Sequence, residues 1–357
     1  MTGIQVGALR RSDRLLLGGA LLLSAVAALG RNVGTVAPFL ISAAALALLA
    51  GLVGRSVDQL ADRLGPGAVG VLQAGLGNLP ELFVCTFALR HGLTVVVSSA
   101  LIGSILGNLL LVLGLAFVVG GWRHGMLRFS ELRARMIMSL LLLSVAAMFV
   151  PSLAHYVGAA ASGHEVALSR IAAVVLLAVF ALSVPMSLRR EEEPADSEVE
   201  VAEPDWPLRL ALGVLVVSAL LAAYVSDLFV DALQPAMTAL HINQVFAGLV
   251  IVAIAGNAVE NAVGVKLAWR QRPDHALAVI LNSPLQIAVV LAPALVLLSP
   301  LIGGPAFTLV FSPMLMASVG IAVGSVAFLV SDGASDWLEG ATMIGLYILI
   351  AAAFWWG

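Results

Sequence analysis

Two short strings carry the residues best suited to chemistry: GNLPEL, Gly77 to Leu82, and GNAVEN, Gly256 to Asn261. In each, an asparagine preceded by glycine stands three residues before a glutamate. On a helix that spacing puts Asn78 with Glu81, and Asn257 with Glu260, on one face. Calcium takes about 6 to 8 oxygen ligands from carboxylates, amides, carbonyls and water, so each pair is a candidate ligand set. Both glutamates lie deep in apolar sequence, where an ionised carboxylate is expensive unless it is paired, neutralised or hydrated. A bound cation or a bound proton provides that neutralisation.

The two strings are copies. An offset of 179 residues carries Asn78 to Asn257 and Glu81 to Glu260, and it also carries Ser104 in GSILGN to Ser283 in NSPLQI. The Glu-to-Ser spacing therefore survives without a gap, the mark of an internal duplication. Ser104 with Asn108, and Ser283 with Gln286, offer further oxygens at helical spacing, although serine and glycine equally serve close helix packing. Gly77 and Pro80 bracket the first motif and Gly256 begins the second. Such residues interrupt membrane helices where freed carbonyls can line a polar cavity.

The elements that hold these residues follow from composition. The 357 residues are 61% hydrophobic and 11% charged, with a mean hydropathy of +1.05, against roughly 25% charged in a soluble domain. Apolar runs of helical membrane-crossing length recur along the chain. They are continuous rather than alternating, which excludes a barrel and predicts an all-α integral membrane protein. Eleven spans are expected, near 15–30, 36–54, 67–89, 93–120, 134–150, 167–188, 208–228, 244–268, 275–299, 305–330 and 337–356. With the N-terminus cytoplasmic, 15 of the 18 Lys and Arg fall on the cytoplasmic side, all but Arg31, Arg90 and Arg170, which supports both count and orientation and puts the C-terminus outside. Five spans separate the two motif-bearing helices, so the copies cross in opposite directions, and inverted repeats of this kind place a binding site near the midplane.

The remaining features narrow the function. The segment from Glu191 to Asp205 holds eight acids and two prolines in fifteen residues and reads as a solvated linker, or as a regulatory, cation-sensing segment. The arginines Arg10, Arg11 and Arg14 precede an apolar run with no convincing cleavage site, so that run is expected to stay as a first helix. Cys85 is the only cysteine, which leaves no disulfide and no thiolate cluster. None of the six histidines falls convincingly inside a span and no HExxH motif occurs, which argues against a histidine relay, a zinc site or a membrane protease. Asp58 and Asp227 stand near span ends, as solvated helix-end charges or as guides for ion entry. The net charge of −3 offers nothing to a nucleic acid.

At these residues the chain resembles the cation/proton exchanger family of the calcium/cation antiporter superfamily. The similarity runs from Gly77 to Gly121, through GNAVEN and SPLQIAVVLAP between Gly256 and Pro293, to Ser331–Trp356. It implies a peripheral helix over 1–33, a first five-helix repeat over 34–190, an acidic cytoplasmic linker over 191–206, and a second repeat over 207–357. It also implies calcium-for-proton exchange with Glu81 and Glu260 as the central cation and proton sites, in a bacterial plasma membrane. Two positions depart from the family pattern: Asn261 replaces a histidine, and Asn282-Ser283-Pro284 replaces Gly-Ser-Ser. The expectation is a secondary antiporter without a resident cofactor, whose partners are calcium or another cation, protons and the bilayer. A sodium- or potassium-proton antiporter, or a membrane-embedded enzyme, are the alternatives. Oligomeric state is not legible.

Overall fold

The computed structural model describes residues 11–30, 34–64, 72–190 and 206–356. The acidic segment and the start of the third expected span lie outside the described residues. The described chain is almost entirely helical, in the order α1 (Arg11–Leu29), α2 (Ala37–Leu64), a π-helical turn (Gln73–Gly77), α3 (Leu79–Arg90), α4 (Thr94–Leu106), a second π segment (Gly107–Val112), α5 (Leu113–His124), α6 (Glu131–Val157), α7 (Glu165–Arg190) and α8 (Leu208–Leu240). There follow a helical turn (Gln244–Phe246), a π segment (Ala247–Val252), α9 (Ala253–Trp269), α10 (Pro273–Gln286), a π segment (Ile287–Leu291), α11 (Ala292–Ile302), α12 (Pro313–Leu329) and α13 (Trp337–Trp355).

Among the described residues nine helices are long and apolar enough to cross a membrane, or ten if the bent pair Gln244–Ala258 and Asn261–Trp269 counts as one span. The remaining expected span is the third, whose first residues are among those not described. The 179-residue offset reappears in the backbone, since it carries 107–112 onto 286–291 and π segments occupy Gly107–Val112 and Ile287–Leu291. A π segment widens a helix and frees carbonyls from their regular partners, and it is frequent at functional sites.

The tenth span begins later than the sequence suggests. Residues after Gly303, at φ +83, are not helical until Pro313. Phe307, Leu309 and Phe311 are almost wholly buried, every second residue, as in an extended chain. Serine hydroxyls of neighbouring helices serve its backbone: Phe307 N–H donates to Ser299 at 3.0 Å, Leu309 N–H to Ser169 at 3.0 Å and Phe311 N–H to Ser152 at 2.9 Å. An apolar run whose amides find such partners need not be a helix. An all-α expectation also missed one two-stranded antiparallel pair, Leu127–Arg128 against Ala334–Ser335.

The chain forms two compact units, one of Met1–Phe87 with Ala178–Leu240, the other of Ala88–Leu177 with His241–Gly357. Each therefore draws on both sequence halves. In the first, α2 and α8 pack along their lengths, with Phe39 stacked on Phe229 at 5.0 Å. Trp206, just past the acidic segment, is buried. Its backbone N–H donates to Gln59 at 2.9 Å, its indole N–H to Asp13 at 3.2 Å, and its carbonyl accepts from Arg63. Asp13 also pairs with Arg55 at 2.9 Å. Neither Asp13 nor this pairing stood out in the sequence, although an acid in the first turn of an apolar helix was the available signal.

The second unit depends on glycines at close crossings. A Cβ on Gly103 of α4 would lie 2.0 Å from the Leu249 carbonyl oxygen, and one on Gly248 would lie 2.4 Å from that of Val96. The two backbones thus touch directly, the membrane-helix packing that small residues allow. Gly320 of α12 has open space around it. Gly103→Ala should therefore lower thermal stability in detergent by more than the roughly 1–3 kcal/mol typical of overpacking, whereas Gly320→Ala should be neutral or stabilising by about 0.5–1 kcal/mol. Melting curves of both variants test this. Equal melting temperatures would mean that the α4 crossing can relax.

Candidate functional site

In the first unit the π turn ends at Gly77 and the chain leaves helical geometry at Asn78, with φ −90 and ψ 16. Pro80 then lies in the first turn of α3, where its missing N–H costs no hydrogen bond. The break foreseen from Gly77 and Pro80 thus falls on the asparagine between them. Asn78 and Glu81 are both buried, at 5% and 8% exposure, and the Asn78 carbonyl accepts from Leu82 N–H at 2.9 Å. Asp58 is exposed in α2 and Asp227 is half-buried in α8.

In the second unit, four of the expected site residues form a closed ring. Asn257 Nδ2 donates to Ser104 Oγ at 3.0 Å, and Ser283 Oγ donates to Asn257 Oδ1 at 3.3 Å. Asn108 Nδ2 donates to Ser283 Oγ at 3.3 Å and returns to the Ser104 carbonyl at 2.9 Å. All four residues are buried, none more than 6% exposed. The ring joins α4 and the following π segment to α9 and α10, so it ties first-copy residues to second-copy residues through the two serines that the 179-residue offset relates. Away from water each of these bonds is costly to leave unmade, which fixes the helices' mutual rotation. Gln286, the last residue of α10, is half-buried beside the next π segment.

The ring also sorts the oxygens. Both known donations of Asn108 Nδ2 stay within the ring, which turns its Oδ1 away from those partners. Asn257 Oδ1 accepts from Ser283 Oγ within the ring. The Glu260 side chain lies outside the described residues, but its backbone is in α9, one turn beyond Asn257. Helix α9 runs through Gly256 without interruption. The 65° turn of this segment lies between Ala258 and Asn261, beside the glutamate rather than at the glycine, because a glycine alone does not break a membrane helix. Asn261 Oδ1 is buried without a hydrogen-bond partner among the described residues.

The sequence matches the family model described as sodium/calcium exchanger protein over residues 34–189 and 210–356. It is similar to a Ca2+/H+ antiporter of Synechocystis, 36% identical over 90% of this chain and 91% of the relative. It is also similar to the Ca2+/H+ antiporter ChaA of Bacillus subtilis, 35% identical over 86% of this chain and 88% of the relative. Among solved structures, native YfkE superposes with a TM-score of 0.81 at 29% identity, over 96% of this chain and 99% of that one.

Ser283→Ala would remove one partner each from Asn257 and Asn108. The expected loss is about 1–3 kcal/mol, the penalty for unsatisfied buried polar groups. Ser299→Ala, which removes the hydroxyl serving Phe307 N–H, should cost a similar amount without altering cation binding, whereas Ser283→Ala should weaken it. Thermal denaturation with and without calcium separates the two. A calcium-induced stabilisation unchanged in Ser283→Ala would place the ring outside the cation's reach.

Proposed function

Because the chain belongs to the sodium/calcium exchanger family, we propose that this integral membrane protein exchanges calcium, or a similar cation, for protons through a site built on Glu81 and Glu260. The observation that carries the proposal is the duplicated Asn-x-x-Glu motif. Its first copy is buried beside a break in the chain, and its second is anchored by the Ser104–Asn257–Ser283–Asn108 ring. The names of the relatives agree with it.

Two carboxylates in a poorly hydrated cavity repel each other, and both repulsion and desolvation favour their protonated forms. A divalent cation brings the alternative neutralisation. Protons and metal therefore exclude one another, and antiport follows. The empty, doubly ionised site is the costly state, which hinders the unloaded carrier from switching sides and suppresses leak. Asn78, Asn257 and Asn108 supply amide oxygens, with Ser104, Ser283 and Gln286 as supporting oxygens, and carbonyls freed at the helix breaks complete the shell. Asp58 and Asp227 guide the ion toward it. No resident cofactor or covalent catalysis is needed.

The arginine distribution supports a cytoplasmic N-terminus and an external C-terminus in a bacterial plasma membrane. The acidic segment from Glu191 to Asp205 belongs to neither copy of the motif and acts as a linker that tunes activity. In place of the family's histidine, Asn261 cannot titrate near neutral pH, so proton coupling falls to the glutamates.

Purified protein in liposomes with an imposed pH gradient should accumulate calcium, screened against manganese, sodium and potassium. Glu81→Gln and Glu260→Gln should each abolish coupled flux while leaving the protein folded. Acidification should weaken calcium binding to the unmutated protein, because protons occupy the same carboxylates. Normal pH-dependent exchange in both variants would rule out the carboxylate pair. Flux of sodium or potassium in place of calcium would move the protein to the monovalent class.

A further inference from the structure

A groove of about 490 Å3 runs along the outer side of the second unit between α5 and α9. Val112, Leu115, Val119 and Val265 line its length, and Lys266 and Trp269 close one end. The volume lies within the roughly 300–1,000 Å3 of small-molecule sites. Asn261 lines it as an uncharged polar side chain, the rest of the wall beside Lys266 is apolar, and among the described residues no acidic side chain lines it, so it fits a hydrocarbon chain better than an ion.

The closed end is cationic. Lys266 is exposed, and the Arg123 guanidinium lies over the Trp269 ring at 4.2 Å, a stacking that holds the cation in place without neutralising it. His124 contacts the Trp269 carbonyl at 2.9 Å, which pins the end of α5 to the end of α9. Trp122 is 79% exposed beside Trp337 on the same helix end. Exposed tryptophans with Lys and Arg mark the level of lipid headgroups. Gly120 permits the close approach behind them, since a Cβ there would lie 3.2 Å from the Ala268 carbonyl.

We propose that this groove binds one anionic phospholipid, with an acyl chain along Val112, Leu115, Val119 and Val265 and the headgroup phosphate between Arg123 and Lys266. A largely apolar trench ending in two cations with no ion pair among the described residues is complementary to that molecule, whereas a zwitterionic lipid would bring its own cation to the same place. In the orientation proposed above this is the cytoplasmic leaflet, where anionic headgroups attract basic side chains. None of Ser104, Asn108, Asn257 and Ser283 lines the groove, while Asn261 of its wall adjoins Glu260 in sequence, so on the function proposed above a bound lipid would adjust transport without itself being carried.

Native mass spectrometry of the purified full-length protein, incubated with equal amounts of phosphatidylglycerol and phosphatidylcholine of matched chains, tests the proposal. The unmutated protein should retain phosphatidylglycerol in preference, and removing each cation should cut that preference about fivefold, so about 25-fold for Arg123→Gln with Lys266→Gln. Both substitutions are at exposed positions, so folding should persist, and unchanged melting confirms it. Leu115→Trp, which fills the trench, should abolish retention of both lipids. Equal retention of the two lipids by the unmutated protein, or a preference that survives the double substitution, would overturn the proposal.

Discussion

A carboxylate placed where a bilayer excludes water must be neutralised, and the exchange proposed for this chain follows from that constraint. Glu81 is buried in a helix that begins at a break. Glu260 stands in a segment that turns by 65° around it. Irregular backbone of this kind survives at membrane depth only where protein or a polar cavity satisfies it. The π segments at Gly107–Val112 and Ile287–Leu291, related by the same offset as the glutamates, are two more interruptions of the same sort. A sequence built only for helix packing would gain nothing from them.

The polar ring shows how such a region is held without becoming soft. Lipid tails are as apolar as leucine, so hydrophobicity alone does not set one membrane helix against another. The second unit uses direct backbone contact at Gly103 and Gly248 and a closed circuit of amide and hydroxyl bonds among Ser104, Asn108, Asn257 and Ser283. The circuit engages both amide nitrogens, Asn257 Nδ2 and Asn108 Nδ2, as donors. In the first unit, burial of Asp13 is compensated by Arg55 and the Trp206 indole, and breaking such a pair costs about 3–5 kcal/mol.

Most of this was legible because it rests on patterns that the bilayer enforces. Apolar length gave the helices, and the offset of 179 residues gave the partners of Asn78, Glu81 and Ser104. The same reading did not anticipate that Ser104 and Ser283 would share one ring, since spacing along the chain says nothing of contact between helices. Apolar content alone predicts helix around Phe307, whereas serine hydroxyls take the amides there and the chain runs extended. The orientation rule counts Arg55 only as one of the cytoplasmic charges, whereas it pairs with the buried Asp13. Hydropathy registers that a charge exists, and only packing reveals its counter-charge.

In the proposed exchange one pair of carboxylates holds either protons or the cation. Proton release on metal binding tests it most directly: calcium is added to the purified protein in weakly buffered detergent solution near neutral pH, and released protons are followed with an indicator dye. Release should be saturable, track calcium occupancy and be lost when Glu81 and Glu260 are both replaced by glutamine. Calcium bound with no proton released across the pH range would contradict it.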